Sequence, residues 1–133
     1  MIFLDSSFIL ALLNDNDNNH QKAVELLEIA PEINVRQKVI NNIVLLEVLN
    51  KLNKQYYKGK EEEIINFLLS MDEIHFVDDE DYEEAIQLYK YYGYNVNYSD
   101  CLILLTMEHC NLNDIVSFDD DFNKIDGINN FTI

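Results

Sequence analysis

The segment Ser99–Phe122 reads SDCLILLTMEHCNLNDIVSFDDDF and contains the pattern that decides the fold. Its first half spaces apolar residues as a helix does, which predicts a helix over Ser99–Cys110 with Ser99 as the capping residue. Its second half contains a short apolar run, Ile115–Phe118, which predicts a strand. The strand ends at three consecutive aspartates, and we expect Phe122 to hold this acidic turn against the core. In open α/β sheets, ligands bind at such carboxyl ends of strands.

The rest of the chain continues this alternation of strands and helices. The predicted strands are Met1–Leu4, Val39–Ile40, Ile74–Val77, Ile115–Phe118 and Phe131–Ile133. The predicted helices are Ser6–Leu13, His20–Ala30, Ile43–Lys54 capped by Asn42, Glu61–Ser70, Glu80–Tyr92 ended by Gly93, and Ser99–Cys110. The connections are short, so we expect a three-layer α/β/α sandwich with a mostly parallel central sheet.

The bulk composition indicates one folded domain over residues 1–133. The chain is 48% hydrophobic, which is enough for a core, and no stretch is long and apolar enough to cross a membrane. The N-terminus has no basic region before its first charge, Asp5, so it does not resemble a secretion signal. Cys101 and Cys110 match no zinc or redox spacing and are expected to be buried free thiols. These features favour a cytoplasmic protein.

The net charge of −16 is the strongest compositional signal. Proteins that bind nucleic acid usually carry a basic surface, so this charge by itself argues against such a partner. It fits a metal site or a basic protein partner better. It is equally consistent with acidic surfaces that keep the protein in solution.

Two aspartates follow predicted strands directly. Asp5 comes after Ile2–Leu4, and Asp119 comes after Ile115–Phe118. If the two strands are parallel and close neighbours, these carboxylates converge at one edge of the sheet.

Two further acids occupy informative positions in predicted helices. Asp100 opens a helix, where the helix dipole favours an aspartate in any case, although this helix leads to Asp119. Glu47 lies in an apolar run, so it should have a cation partner or a raised pKa. Lys51, four residues on, offers an ordinary ion pair as the alternative.

Several acids at one sheet edge need a counter-charge, and a hard divalent cation such as Mg²⁺ supplies it. A calcium EF-hand loop is excluded, because the loop that would begin at Asp119 has Lys124 and Asn130 where Gly and Glu are required. The three histidines, His20, His75 and His109, are scattered and form no metal-binding motif.

The segment Lys51–Lys60, KLNKQYYKGK, is the only basic cluster. Its cations and aromatic rings suit single-stranded nucleic acid, with Lys51, Lys54, Tyr57 and Lys58 as candidate contacts. The alternative is a solvated helix end whose lysines complement the helix dipole. A second aromatic stretch, Tyr89–Tyr98, is better explained by core or dimer packing.

Taken together, these residues resemble the PIN domain family, and within it the VapC-type toxins of toxin–antitoxin pairs. The resemblance covers nearly the whole chain in order and spacing. It rests on MIFLDSSFILALL, HQKAVELL, VINNIVLLEVLNKL, YSDCLILLTMEHCN and DIVSFDDDF. The last of these resembles the family pattern T-x-D-x-D-F, with Ser117 in place of the usual Thr.

The resemblance implies a ribonuclease that uses Mg²⁺ or Mn²⁺ to hydrolyse RNA phosphodiester bonds. By motif position, Asp5, Glu47, Asp100 and Asp119 would be the catalytic metal-binding residues, and Asp121 a further or alternative ligand. Asp120 has no family role and should face solvent. The resemblance also implies a homodimer and a cognate antitoxin as partner.

Two other functions compete with this one. Phosphotransfer on Asp5, as in haloacid-dehalogenase phosphatases, requires an aspartate two residues on, and Ser7 stands there instead. A non-catalytic PIN-like module that binds a protein partner is the remaining alternative, although the intact set of acids argues against it.

Overall fold

The computed structural model describes all 133 residues and contains five strands and seven helices. The strands are β1 (Ile2–Leu4), β2 (Lys38–Asn41), β3 (Glu73–His75), β4 (Asp114–Val116) and β5 (Asn129–Phe131). The helices are α1 (Ser6–Leu13), α2 (His20–Ile29), α3 (Glu32–Val35), α4 (Asn42–Lys51), α5 (Glu61–Leu69), α6 (Asp79–Tyr91) and α7 (Tyr98–His109). Two 3-10 helices complete the list, Gln55–Tyr57 and Asp120–Lys124.

The five strands form one sheet in the order β3-β2-β1-β4-β5, and every pair is parallel. The chain moves one way across the sheet from β1 to β3 and the other way from β4 to β5. Right-handed crossovers therefore place α1–α5 and α6–α7 on opposite faces. This confirms the predicted α/β class with a parallel central sheet. The order reverses between β1 and β4, where such folds bind their ligands.

Helix α7 lies deep in the molecule. Eight consecutive residues, Asp100–Met107, are buried, so no face of this stretch is exposed to solvent. Such a helix packs on several sides rather than along one stripe, and α7 contacts both α6 and α4. The consequence for the site is that Asp100 is fixed at the start of a rigid, central element.

The caps of two helices differ from those predicted. Asn41, not Asn42, caps α4, because its side chain accepts a hydrogen bond from Val44 N–H at 3.0 Å. The side chain of Asn42 instead accepts from the N–H of Val77 at 2.7 Å. Helix α7 begins at Tyr98 after Asn97, so the predicted cap, Ser99, lies within its first turn.

Strand β4 is shorter than predicted for a specific reason. The N–H groups of Ser117 and Phe118 bind side chains, Asn130 Oδ1 and Ser7 Oγ, each at 3.0 Å, and so leave the strand ladder. The other predicted elements lie within about three residues of their observed bounds. The short helix α3 was not predicted. Cys101 is buried as expected, whereas Cys110 is only half-buried.

None of the helices is both long and apolar enough to span a membrane.

Candidate active site

The predicted acids meet at the carboxyl ends of β1 and β4, the two central neighbours of the sheet. Asp5 follows β1 directly, and Asp119 lies three residues beyond β4. Asp5 N–H donates to the carbonyl of Val116 at 3.1 Å, which closes the gap between the two strand ends. The sheet thus delivers both aspartates to one place, as the sequence predicted.

Asp5 is oriented by two serine hydroxyls. Ser117 Oγ donates to Asp5 Oδ2 at 2.6 Å, and Ser7 Oγ donates to the same oxygen at 3.0 Å. Each hydroxyl also accepts a backbone N–H: Ser117 from Asp119 at 2.9 Å, and Ser7 from Phe118 at 3.0 Å. The two serines therefore join the end of β1 to the turn after β4.

Asp5 is almost fully buried, and burial raises the pKa of its carboxyl group even though the serine hydroxyls oppose this shift. The charge of Asp119 adds to the rise in pKa. The sequence did not indicate that Ser6 and Ser7 would orient the site carboxylates. Their position directly after Asp5 was the only available signal, and it does not indicate where the side chains point.

Glu47 reaches the site from α4. Ser6 Oγ donates to Glu47 Oε2 at 2.8 Å, which ties α4 to the start of α1. Burial raises the pKa of Glu47, and the charges of Asp5 and Asp119 raise it further. Lys51 opposes this shift only from a distance, and no ion pair forms between the two residues. Burial thus shifts the pKa of Glu47 in the predicted direction, and the i,i+4 ion pair with Lys51 does not form.

The remaining acids form the tightest part of the site. One carboxylate oxygen from each of Asp100, Asp119 and Asp121 lies within 4.8 Å of the other two. Burial raises the pKa of Asp100 to about 10, and the neighbouring carboxylates of Asp119 and Asp121 contribute to the rise. Asp100 Oδ2 is buried and has no hydrogen-bond partner. This oxygen is a free ligand position at the centre of the cluster.

Asp121 differs electrostatically from its neighbours. Burial works to raise its pKa, but Lys124 and the N–H of Asn97 outweigh it, and the net pKa is lowered. Lys124 Nζ lies 2.9 Å from Asp121 Oδ1, and Asn97 N–H donates to Oδ2 at 3.1 Å. Asp121 thus already has a cation, unlike Asp100.

The turn that carries these acids is anchored as predicted. Phe122 is fully buried, and Asp120, between the two site acids, is exposed. Asp119 Oδ1 accepts the N–H of Asp121 at 3.0 Å and so caps the 3-10 helix that follows.

The predicted nucleic-acid contacts divide into two groups. Lys51, Lys54 and Lys58 are exposed, beginning one helical turn after Glu47. Tyr57, in contrast, is 2% exposed, so its proposed stacking role is wrong. The 3-10 helix Gln55–Tyr57 turns this ring into the core. The exposed ring of the segment belongs to Tyr56.

Comparisons with known proteins identify the family and the fold of this chain. The family model of the PIN domain matches residues 2–128. No match was found among curated proteins.

Solved structures share the fold over nearly the full chain. The sarcin–ricin loop cleaving toxin VapC20 of Mycobacterium tuberculosis has a TM-score of 0.74 at 24% identity, covering 92% of this chain and 93% of that one. A toxin–antitoxin complex from Klebsiella pneumoniae has a TM-score of 0.67 at 23% identity, covering 97% and 96%. VapBC2 of Rickettsia felis, solved with a DNA fragment from its promoter, has a TM-score of 0.66 at 22% identity, covering 98% and 99%.

Proposed function

This chain belongs to the PIN domain family, and we propose that it is a metal-dependent endoribonuclease, the toxin of a toxin–antitoxin pair. The observation that carries the nuclease proposal is the group of acids gathered at the carboxyl ends of β1 and β4. These acids are Asp5, Glu47, Asp100, Asp119 and Asp121.

The chemistry of this group fits a hard divalent cation. All the donors are carboxylate oxygens, which Mg²⁺ and Mn²⁺ prefer, and Asp100 Oδ2 lacks any other partner. The pKa of Asp100, raised to about 10 by burial and by the neighbouring carboxylates, supports a site that lacks its counter-charge when no metal is bound. We assign Asp5, Asp100 and Asp119 as direct ligands, with Asp121 and Glu47 at the border of the site. When bound, such a cation lowers the pKa of water and offsets the charge on a phosphodiester.

The chain itself supplies the geometry. Ser7 and Ser117 fix the orientation of Asp5, and Ser117 also holds the backbone of Asp119. Ser6 fixes Glu47 in the same way. Acids held by such hydrogen bonds need little rearrangement when the ligand arrives, which is how a preorganised site gains rate.

The exposed lysines could attract RNA electrostatically to a protein that is otherwise acidic. Lys51, Lys54 and Lys58 follow Glu47 in the chain and are exposed, and Lys124 lies beside Asp121. Positive side chains there interact with the phosphate backbone, and the exposed ring of Tyr56 is placed to stack on a base.

The toxin assignment is supported by the solved structures, of which one is described as a toxin and another as a toxin–antitoxin complex. A net charge of −16 suits a basic antitoxin better than it suits RNA. A homodimer in the cytoplasm is the assembly that we propose. Light scattering on the purified chain tests the homodimer. Co-expression with the product of a small neighbouring reading frame, followed by light scattering, tests the antitoxin partner.

The decisive experiment measures RNA cleavage by the purified chain with Mg²⁺, with Mn²⁺, and with chelator alone. We expect cleavage only with metal, and its loss in an Asp5→Asn/Asp100→Asn double variant. Asp120→Asn is the control, because it removes one carboxylate from an exposed residue that lies between the site acids Asp119 and Asp121. Equal cleavage by wild type and the double variant would refute the proposal.

The non-catalytic alternative gives a different result. A PIN-like module that only binds protein predicts no heat of Mn²⁺ binding at millimolar concentrations in titration calorimetry. The nuclease predicts binding that Asp100→Asn weakens and Asp120→Asn leaves unchanged.

A further inference from the structure

A second cluster of metal-binding side chains lies at the opposite end of α7 from Asp100. His75 ends strand β3, Asp81 lies in the first turn of α6, and His109 is the last residue of α7. Asp100 and His109 are nine residues apart in one helix, which separates them by about 14 Å along its axis. The cluster is therefore distinct from the acidic site.

The distances within the cluster are suited to a shared ion. Asp81 Oδ2 lies 3.9 Å from His75 Nε2, and Asp81 Oδ1 lies 3.6 Å from His109 Nδ1. One donor atom from each residue lies within 4.8 Å of the other two. These separations are too long for hydrogen bonds. They are close to the spacing of about 3.3 Å between ligand atoms around a tetrahedral zinc ion, whose bonds are about 2.0–2.2 Å long.

The second, independent observation is an unpaired nitrogen. His75 Nε2 is buried and has no hydrogen-bond partner. Buried polar atoms are nearly always paired, so an unpaired nitrogen that faces a carboxylate at 3.9 Å is available to bind a ligand. Asp81 is itself buried, and its only ion-pair partners are the two histidines.

One outer hydrogen bond holds Asp81 in position, and an outer carboxylate lies close to His109 without bonding to it. The backbone N–H of Asp78 donates to Asp81 Oδ2 at 3.1 Å as part of the α6 capping box. The second ring nitrogen of His109, Nε2, lies 3.7 Å from Glu84 Oε2. A carboxylate on the far nitrogen of a histidine is the usual support for a metal-binding imidazole.

We propose that His75, Asp81 and His109 bind a divalent transition-metal ion of the zinc type, with solvent completing its coordination. Imidazole nitrogens select such ions over Mg²⁺, which prefers oxygen. The ion joins edge strand β3 to helices α6 and α7, so its role is to clamp the α6–α7 pair to the sheet. The proposal is independent of the ribonuclease activity.

A competing donor set shares His75. Glu73, His75 and Cys110 also each place one donor atom within 4.8 Å of the others. We favour the first set, because it has two imidazoles and a buried carboxylate, whereas Glu73 is exposed. The experiment separates the two sets.

Histidine side-chain NMR provides the test, because the chain has only three histidines. One equivalent of Zn²⁺ should shift the ring resonances of His75 and His109. His20 is the internal reference, since its Nδ1 already contacts the carbonyl oxygen of Ala11 at 2.8 Å. Mg²⁺ should move none of the three. Unshifted His75 and His109 resonances, or an equal shift of His20, would overturn the proposal.

Variants assign the ligands. Asp81→Asn keeps an oxygen for the Asp78 N–H but should weaken Zn²⁺ binding at least about tenfold. Asp79→Asn is the matched control, with the same change in the same helical turn, and should leave binding unchanged. His109→Gln tests the site again from a partly exposed residue, in case Asp81→Asn disturbs the fold. If Cys110→Ser removes the His75 shift while His109→Gln does not, the proposed ligand set is wrong.

Discussion

The two ends of α7 show how differently a protein can arrange groups that bind cations. At the first end, Asp100 joins several carboxylates whose charges repel one another, and its pKa rises to about 10. At the other end, His109 joins a second imidazole and a single carboxylate, Asp81. The acidic end gathers repelling carboxylates without a counter-charge, whereas the histidine end contains one buried carboxylate and leaves one buried nitrogen, His75 Nε2, without a partner.

This difference is what we expect between a catalytic site, at the acidic end of α7, and a structural metal site, at its histidine end. Buried carboxylates held by serine hydroxyls cost stability in the metal-free protein, which is a common property of catalytic sites. The histidine cluster gathers only one carboxylate and adds connections between elements when filled. Variants that change one end of α7 test this difference, provided that metal binding or activity is measured at both ends.

The largest expected effect is on catalysis at the acidic end. Asp119→Asn should lower RNA cleavage at least about 100-fold, because it removes a carboxylate that has no cation of its own. Asp121→Asn should lower it only about tenfold, because Lys124 already neutralises part of that charge. Steady-state cleavage assays at saturating Mn²⁺ compare the two variants.

Neither variant should change the Zn²⁺-induced shifts of His75 and His109. Loss of those shifts in Asp119→Asn would mean that the two ends of α7 are coupled. A larger loss of activity in Asp121→Asn than in Asp119→Asn would mean that Asp121, not Asp119, is the direct metal ligand.

A smaller effect is expected from the serine that supports Asp5. Ser117→Ala removes the 2.6 Å hydrogen bond to Asp5 and the acceptor for Asp119 N–H, and should reduce Mn²⁺ affinity about tenfold. Ser117→Thr keeps the hydroxyl and should retain affinity close to wild type. Calorimetric titration with Mn²⁺ measures both, and equal weakening by Ala and Thr would show that packing, not the hydroxyl, is responsible.

The acidic end could be predicted from sequence because each acid is tied to a local signal. Asp5 and Asp119 follow apolar runs, Asp100 opens a helix, and Glu47 interrupts an apolar face. Parallel pairing of β1 with β4 then brings the strand-end acids together without further information. The support given by Ser6 and Ser7 could not be predicted, since it depends on rotamers and on where α4 packs.

The histidine end could not be predicted for a different reason. His75 and His109 are far apart in sequence, and neither belongs to a spacing motif. They meet only because β3 is an edge strand and α6 packs on α7. Tyr57 was mispredicted for a related reason, since a 3-10 turn decided which of two adjacent rings became buried.

The next prediction concerns stability and pH at the acidic end. Between the usual aspartate pKa of 3.8 and the folded value of about 10, folded Asp100 holds a proton that the unfolded chain has lost. The free energy of unfolding of the metal-free protein therefore falls as pH rises through this range. Asp100→Asn removes this dependence and should raise the metal-free melting temperature by a few degrees near pH 8. Melting curves from pH 5 to about 9 test this, and Asp120→Asn should retain the wild-type slope.

The smallest effect is expected at the histidine end when no metal is present. His109→Gln should change the metal-free free energy of unfolding by less than about 0.5 kcal/mol, because its ring is partly exposed and makes no hydrogen bond to Asp81. With Zn²⁺ at about 100 times its dissociation constant, wild type should gain about 2.7 kcal/mol from this site. His109→Gln should lose most of that gain, whereas Asp100→Asn should keep it. Urea unfolding with and without Zn²⁺ measures each difference. A large loss in metal-free His109→Gln would show that the histidine contacts themselves stabilise the fold, which would remove the expected difference between the acidic end and the histidine end.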